Sequence, residues 1–443
     1  MVFERKIYKK LLEWKNESNG QTALLIKGAR RVGKSTVARE FGMNEYESFI
    51  AIDFAKCPKE VPTLFEDISD LDYIFMRLQM IYDVELKRRQ SLIIFDEVQL
   101  CPKARQAIKY LVEDSRYDYL ETGSLLSIRQ NVKDIVIPSE EEEVTLYPLD
   151  YEEFRWALGD KVSVTLLRQF FEKRKGMGDE ANRNMMRDFR LYMLVGGMPQ
   201  AVVTYIEEKN LAKVDRMKRS IIRLYEKDFN KIDRSGNAAK MFHAIPSQLM
   251  GNASRYVVAT ATDGGRRVRL AETVSDMEDS MVVNIAYHVD DPNVGMAQTM
   301  NKDAYKMYVC DTGLFVTLAF WDKTFTENVI YEKLLGDKLP ANLGYVYENV
   351  MAQIIRASGY ELYYHTFPTD DGKHNYEVDF LLPDGDKLDP IEVKSSSYNR
   401  HASLDAFFAK YHARIKQQYL VYTKDLRKDG AITALPVYFA QFL

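Results

Sequence analysis

Gly28-Ala29-Arg30-Arg31-Val32-Gly33-Lys34-Ser35 fits the pattern GxxxxGK[ST] and comes directly after the apolar run Ala23-Leu24-Leu25-Ile26, so it lies where a strand must turn into a helix. A phosphate-cradling loop requires that context. Gly28 and Gly33 let the backbone curl so that successive N–H groups face inward, and the next helix adds its positive N-terminal end. Lys34 would neutralise the β- and γ-phosphates, and the Ser35 hydroxyl would enter a Mg²⁺ shell. Ala29, Arg30, Arg31, Val32 and Thr36 complete the contact run. The same letters in isolation also describe a glycine turn with a helix-capping serine, and a second motif farther along the chain decides between the two.

Leu92-Ile93-Ile94-Phe95-Asp96-Glu97 is an apolar run ending in two carboxylates. Such a run reads as a strand buried on both faces of a parallel sheet, whose C-terminal end emerges beside the loop. Asp96 is then placed to hold Mg²⁺ and Glu97 to polarise the water that attacks a γ-phosphate. The alternative, two acids capping the next helix, loses weight once the loop is counted with them. Together the motifs predict ATP and Mg²⁺ as the bound groups. A third strand, Tyr117 to Thr122, runs into Gly123-Ser124. Thr122 or Ser124 could hydrogen-bond the γ-phosphate or the attacking water, and an ordinary Thr-Gly-Ser turn accounts for the letters equally well.

With 443 residues the chain is long enough for more than one domain, since a domain takes about 100–200 residues. A hydrophobic fraction of 46% and a charged fraction of 28% describe a globular protein. Cys57, Cys101 and Cys310 are scattered without a CxxC partner, so neither a disulfide frame nor a zinc site is expected, and a reducing cytoplasm fits. No apolar stretch approaches a membrane span and the amino terminus lacks the apolar core of a signal peptide, so no membrane role is expected. Net charge is −4, which leaves nucleic-acid contact to local patches.

Residues 1–20 read as an amphipathic helix with Ile7, Leu11, Leu12 and Trp14 on one side. The run Glu140 to Glu143 reads as a solvated acidic turn, succeeded by a last strand over Val144 to Tyr147. From Leu149 to about Lys231 the pattern is helical, interrupted by the stop and restart at Gly196-Gly197-Met198-Pro199. Helical segments around Phe242 to Met250 and Leu270 to Ile285, then a strand-like Tyr305 to Val309, suit a winged helix. Arg266, Arg267 and Arg269 beside Asp263-Gly264-Gly265 could meet a phosphate backbone; an exposed basic turn in a structural domain is the slightly favoured reading.

The carboxyl-terminal part carries a second constellation. Tyr376 to Leu382 reads as a strand, Pro383-Asp384-Gly385-Asp386 as a turn, and Pro390-Ile391-Glu392-Val393-Lys394 as the return strand. Alternation puts Glu392 and Lys394 on one face. A hairpin would bring Asp379 to Glu392, where two carboxylates could share a Mg²⁺ and Lys394 could orient a water. Glu348, on an expected helix Leu343 to Ala357, would add a third acid. A surface hairpin with an internal salt bridge is the plainer alternative.

This Asp…Glu-x-Lys set resembles the PD-(D/E)XK pattern of restriction-endonuclease-like nucleases. The whole chain resembles prokaryotic AAA-type ATPases that carry a carboxyl-terminal domain of unknown function with that nuclease-like fold. The matching segments are Gly28 to Thr36, Ile93 to Gln99, Thr122 to Ser124, Tyr147 to Leu149, Gly196 to Pro199, Tyr308 to Leu314, and Asp379 with Glu392 to Lys394. The resemblance implies an α/β chain: a P-loop AAA-type parallel-sheet core over 1–150, a helical lid over 151–235, a winged-helix-like domain over 236–325 and a restriction-endonuclease-like domain over 326–443. It also implies that Gly196 to Pro199 lies in the lid near the nucleotide, as in signal-transduction ATPases.

The expected ATPase site thus comprises the loop residues, Asp96, Glu97 and Ser124. The expected second site has Glu392 and Lys394 in catalytic roles, with Glu348, Asp379 and Glu392 as metal ligands. An arginine finger has no discriminating context among Arg129, Arg219 and Arg223. Two functions remain open: an ATPase coupled to a domain that binds or cuts DNA or RNA, or a nucleotide-dependent switch whose nuclease-like domain is inactive and binds a protein partner or further copies of the chain.

Overall fold

The computed structural model describes residues 1–123, 139–251, 254–262, 267–322, 334–336, 344–395 and 401–443. Ser124 and Arg129, like Arg266, lie outside the described residues, as do the side chains of Arg267 and Arg269. The chain divides into two compact units, residues 1–147 with 279–281, and residues 148–278 with 282–443.

The first unit is built on β1 (Ala23–Lys27), β2 (Ser48–Asp53), β3 (Ser91–Asp96), β4 (Asp118–Gly123) and β5 (Glu141–Thr145), in the order β2-β3-β4-β1-β5. Every pairing in this sheet is parallel. Strands β3 and β4 are buried along their whole lengths, as expected where helices cover both faces. Phe54, Phe65 and Phe95 pack against one another beneath the sheet, with ring centroids 5.4 to 6.2 Å apart. The ends of β1, β3 and β4 share one edge, so Lys27, Asp96 and Gly123 deliver their loops to the same place.

The acidic run is strand rather than turn, although Glu142 and Glu143 are solvent-exposed as expected. Glu141 begins β5, and each acid of that strand has a partner fixed by the fold: Glu142 accepts from the Thr22 hydroxyl at 2.6 Å and Glu143 meets Lys27 at 2.5 Å. Glu141 joins Glu121 on the buried Arg105 guanidinium, at 2.8 and 2.7 Å. Burial drives Glu121 well above the usual carboxylate range despite that guanidinium.

The second unit contains two sheets. One has the order β7-β6-β8-β9, with β6 (Val283–Val289), β7 (Met300–Val309), β8 (Leu362–Pro368) and β9 (Asn375–Val378). The other has the order β10-β11-β12-β14-β13, with β10 (Phe380–Asp384), β11 (Lys387–Val393), β12 (Gln418–Tyr422), β13 (Arg427–Asp429) and β14 (Ile432–Pro436). The expected boundary at 325/326 does not separate compact units. The antiparallel ribbon β6–β7 exists, but β6 also pairs in parallel with β8. The helix expected over Leu270 to Ile285 ends at Asp279, and Val283 already belongs to β6. The reason is burial: Val283 to Ala286 are covered on successive residues, which a two-stranded wing cannot provide. Residues 151–235, expected as a separate lid, fall in this same unit.

Gly196 to Pro199 ends one helix and starts another, as the sequence indicates, joining Asp179–Val195 to Pro199–Glu208. Gly196 has φ +81°, and a Cβ on Gly197 would lie 2.1 Å from the Leu149 carbonyl oxygen. The segment is pinned by Asp311, whose carboxylate accepts from Gly197 N–H at 2.5 Å and Leu314 N–H at 2.9 Å.

Candidate functional site

The loop after β1 enters the helix Lys34–Glu45 through Gly33, whose φ of +104° no side-chain-bearing residue adopts without strain. Gly28 is required for a different reason: a Cβ there would sit 2.3 Å from the Leu146 carbonyl oxygen. Lys34 Nζ donates to the carbonyls of Gly28 at 2.9 Å and Ala29 at 3.0 Å, so the loop wraps around its own lysine. Burial pushes the Lys34 ammonium down to about 8; Glu97 and Asp96 resist that fall and Arg30 assists it. Ala29 and Val32 are buried, while Arg30, Arg31 and Thr36 are exposed.

At the end of β3, Asp96 Oδ1 accepts from the Ser35 hydroxyl at 2.7 Å and the Thr122 hydroxyl at 2.5 Å. The structure therefore brings loop, acidic strand and third strand together at one carboxylate. Of the two hydroxyls considered on the third strand, Thr122 reaches the site, and Ser124 lies outside the described residues. Glu97 has left-handed backbone, φ +56°, and its side chain accepts from Gln99 Nε2 at 2.5 Å. Two further residues contribute, Gln99 from the end of the Ile93 to Gln99 segment and Arg5 from no motif that the sequence displays. Gln99 holds Glu97, and the Arg5 guanidinium clamps the loop by donating to Val32 O at 3.1 Å and Tyr147 O at 2.6 Å. Ser35 and Asp96 fit a hard divalent cation whose remaining ligands come from phosphate and water.

In the second unit, β10 and β11 pair as the expected antiparallel hairpin, Phe380 opposite Ile391. Asp379 is the single residue between β9 and β10, where the chain passes from one sheet to the other. The register therefore sets it opposite Glu392, and its Oδ2 accepts from Val393 N–H at 2.7 Å. Lys394 Nζ meets Glu392 Oε1 at 2.5 Å, while Glu392 Oε2 is buried and has no hydrogen-bond partner among the described residues. Glu348 sits on the helix Gly344–Ala357 and accepts from the Tyr308 hydroxyl at 3.4 Å.

Two further charges, which the sequence does not single out, complete this cluster. Lys306 of β7 meets Glu377 of β9 at 2.5 Å and Glu348 at 3.7 Å. Burial, then Glu348, Glu377 and Glu392, holds Asp379 well above the usual carboxylate range against the pull of Lys306. Glu392 is also raised, by burial first, with Lys394 opposing. Among the described residues no three His, Cys, Asp or Glu side chains form a ready metal cage. A cavity of about 400 Å³ lined by Phe171, Arg174, Asp384, Asp389 and Tyr419 lies at the turn end of the hairpin and contains none of the expected site residues.

Residues 20–155 match the AAA domain family. That match and the five-stranded parallel sheet are consistent with a P-loop NTPase, and they support a nucleotide-binding ATPase. Residues 186–324 and 343–439 match two domains of unknown function, DUF8612 and DUF4143. No curated protein matches the chain. Among solved structures, the chain is similar at 12% identity and TM-score 0.27 to a Signal Transduction ATPase with Numerous Domains protein with a tetratricopeptide repeat sensor from Pyrococcus horikoshii. That match covers 80% of this chain and 48% of the other, so the chain spans about half that protein's length. A DNA replication initiation factor is similar at 11% identity and TM-score 0.26, with 63% and 95% covered. No helix among the described residues is long and apolar enough to cross a membrane.

Proposed function

We propose that the chain is a Mg²⁺-dependent ATPase whose second unit carries a nuclease-like, metal-binding site directed at DNA or RNA. The observation that supports the ATPase most strongly is the Asp96 carboxylate held between the Ser35 and Thr122 hydroxyls beside the Lys34 loop. In this reading Lys34 and the loop N–H groups bind the β- and γ-phosphates, Ser35 and Asp96 hold Mg²⁺, and Glu97 takes a proton from the attacking water. The metal supplies charge neutralisation on the phosphates.

Lys34→Ala should weaken ATP binding on the order of 10- to 100-fold, the value of about 1.5–3 kcal/mol for hydrogen bonds to a charged group. Titration with a fluorescent ATP analogue measures it, and unchanged affinity would remove Lys34 from the site.

The second site is read as nuclease-like because Asp379, Glu392 and Lys394 converge on one end of a hairpin, with a Glu392 oxygen that has no hydrogen-bond partner among the described residues. Asp379 and Glu392, with Glu348, would hold the cation, and Lys394 would orient the attacking water. Glu392→Gln should abolish Mn²⁺-dependent cleavage of supercoiled, linear or single-stranded DNA, or of RNA, while ATP turnover persists. The ion pairs of Lys306 and Lys394 within the cluster favour the alternative, a switch whose nuclease-like domain does not cut. Absence of cleavage on every substrate, with ATP turnover intact, would select that alternative.

A further inference from the structure

We infer that the Lys306 ammonium occupies a cation position in the acidic cluster, so that this site takes one divalent ion fewer than its carboxylates would otherwise hold. The inference rests on the metal-site reading above and is independent of whether the site cuts.

Lys306 comes from β7, far in sequence from the Asp379–Lys394 hairpin, yet it is 4% exposed and faces the hairpin's acids. Its Nζ bridges carboxylates from two elements, Glu377 Oε1 on β9 at 2.5 Å and Glu348 Oε2 on the Gly344–Ala357 helix at 3.7 Å. Bridging two carboxylates from separate elements is what a hard divalent cation does in such a site. Glu348, Glu377 and Glu392 all act electrostatically on Asp379, so a cation on Glu348 and Glu377 would neighbour one on Asp379 and Glu392, as paired metal ions about 3.5–4 Å apart do. Tyr308, two residues along β7 and hence on the same face, supports the pair by donating a hydrogen bond to Glu348. The Tyr364 ring lies 5.4 Å from the ammonium and favours a cation there.

The cluster sets four acids, Glu348, Glu377, Asp379 and Glu392, against two lysines, Lys306 and Lys394, so part of the cation complement is already built into the chain. The remaining opening is at Glu392, whose Oε2 is buried and without a hydrogen-bond partner among the described residues. Without Lys306 two carboxylates, Glu348 and Glu377, lose their cation at once.

The test is Mn²⁺ titration of the full chain without nucleotide, in an Asp96→Asn background, reading free Mn²⁺ by electron paramagnetic resonance. The parent is expected to bind one ion, Glu392→Gln none, and Lys306→Met two. An equal ion count in Lys306→Met and its parent overturns the inference. No ion in the parent but one in Lys306→Met upholds it and instead overturns the metal-site reading for the native chain. Should Lys306→Met fail to fold, Lys306→Gln replaces it. Anomalous scattering from Mn²⁺-soaked crystals of the parent gives an answer needing no variant at this position: a peak between Glu348 and Glu377 with Lys306 displaced would sink the inference.

Discussion

Glu97→Gln is expected to lower ATP turnover on the order of 10²- to 10⁴-fold, the range for losing a general base, while ATP binding stays within a few-fold of wild type. The substitution keeps the shape of the side chain and an oxygen that can still accept from Gln99 Nε2, which stands 2.5 Å from the carboxylate. It removes the negative charge and the proton acceptor. Two opposing effects act on binding. One of the two carboxylates that keep Lys34 protonated is lost, and one repulsion against the incoming phosphates is lost with it. The contrast with Lys34→Ala, which strikes binding itself, separates phosphate capture from water activation. Phosphate release at saturating ATP, compared with analogue binding by both variants, makes the measurement. Turnover within tenfold of wild type would mean that another group activates the water.

The parts of this architecture that a reader of the sequence can recover are those encoded by adjacent residues. Strand β3 is six buried residues in a row, so the apolar run ending at Asp96 identifies the strand. The hairpin register that sets Asp379 opposite Glu392 comes from the period of two and a turn at Gly385-Asp386, two residues shorter than the Pro383 to Asp386 turn read from the sequence, because Pro383 and Asp384 pair with Leu388 and Lys387. Strand β5 hides because its first residues are Glu141, Glu142 and Glu143, and the partners that make them tolerable, Arg105, Thr22 and Lys27, are distant in sequence. The extent of β6 hides for another reason: a short apolar run such as Met281 to Ile285 continues a preceding helix as readily as it starts a strand.

Site residues divide in the same way. Lys34, Ser35 and Asp96 belong to motifs, and the fold brings them together around one hydrogen-bonded carboxylate and one wrapped lysine. Arg5 and Lys306 act through contacts that only the folded chain creates. Arg5 reaches Tyr147, 142 residues away, and Lys306 reaches Glu377, 71 residues away. No local pattern marks an arginine as a loop clamp or a strand lysine as a counter-ion. The one signal for Lys306 is negative: a charged residue inside the otherwise apolar or aromatic end of a strand, Tyr305 to Val309, needs an acidic partner when it is buried.

Asp311→Ala should destabilise the second unit by about 3–5 kcal/mol, the cost of removing one partner from a buried charge pair. Asp311 is fully buried and holds Gly197 N–H and Leu314 N–H. Gly313 packs so closely on the same segment that a Cβ would lie 2.6 Å from Gly196 Cα, which leaves no room for a larger group to replace the carboxylate's contacts. Nearby, Lys218 Nζ donates to Leu194 O at 2.6 Å and Gly313 O at 3.1 Å. Burial lowers Lys218 to about 8; Asp215 and Asp311 resist this and Arg219 adds to it. Proton counting sets the sign of the pH effect. Between about 8 and 10.5 the folded chain holds fewer protons on Lys218 than the unfolded chain, so this group makes stability rise with pH across that window. Asp311 acts oppositely: burial raises it from 3.8, so its contribution falls as pH climbs from there to its folded value. Asp311→Ala removes a carboxylate that supports the ammonium, and the rise due to Lys218 should begin below pH 8, whereas Lys218→Met should flatten it. Of the three tryptophans, Trp156 and Trp321 lie in the second unit and Trp14 in the first. Urea unfolding of Trp14→Phe chains from pH 6 to 10, monitored by tryptophan fluorescence, therefore reads the second unit alone. A loss below about 1 kcal/mol, the size of an ordinary substitution, or a pH slope unchanged in both variants, would show that Asp311 and Lys218 are not the charge pair that locks Gly196-Gly197 in place.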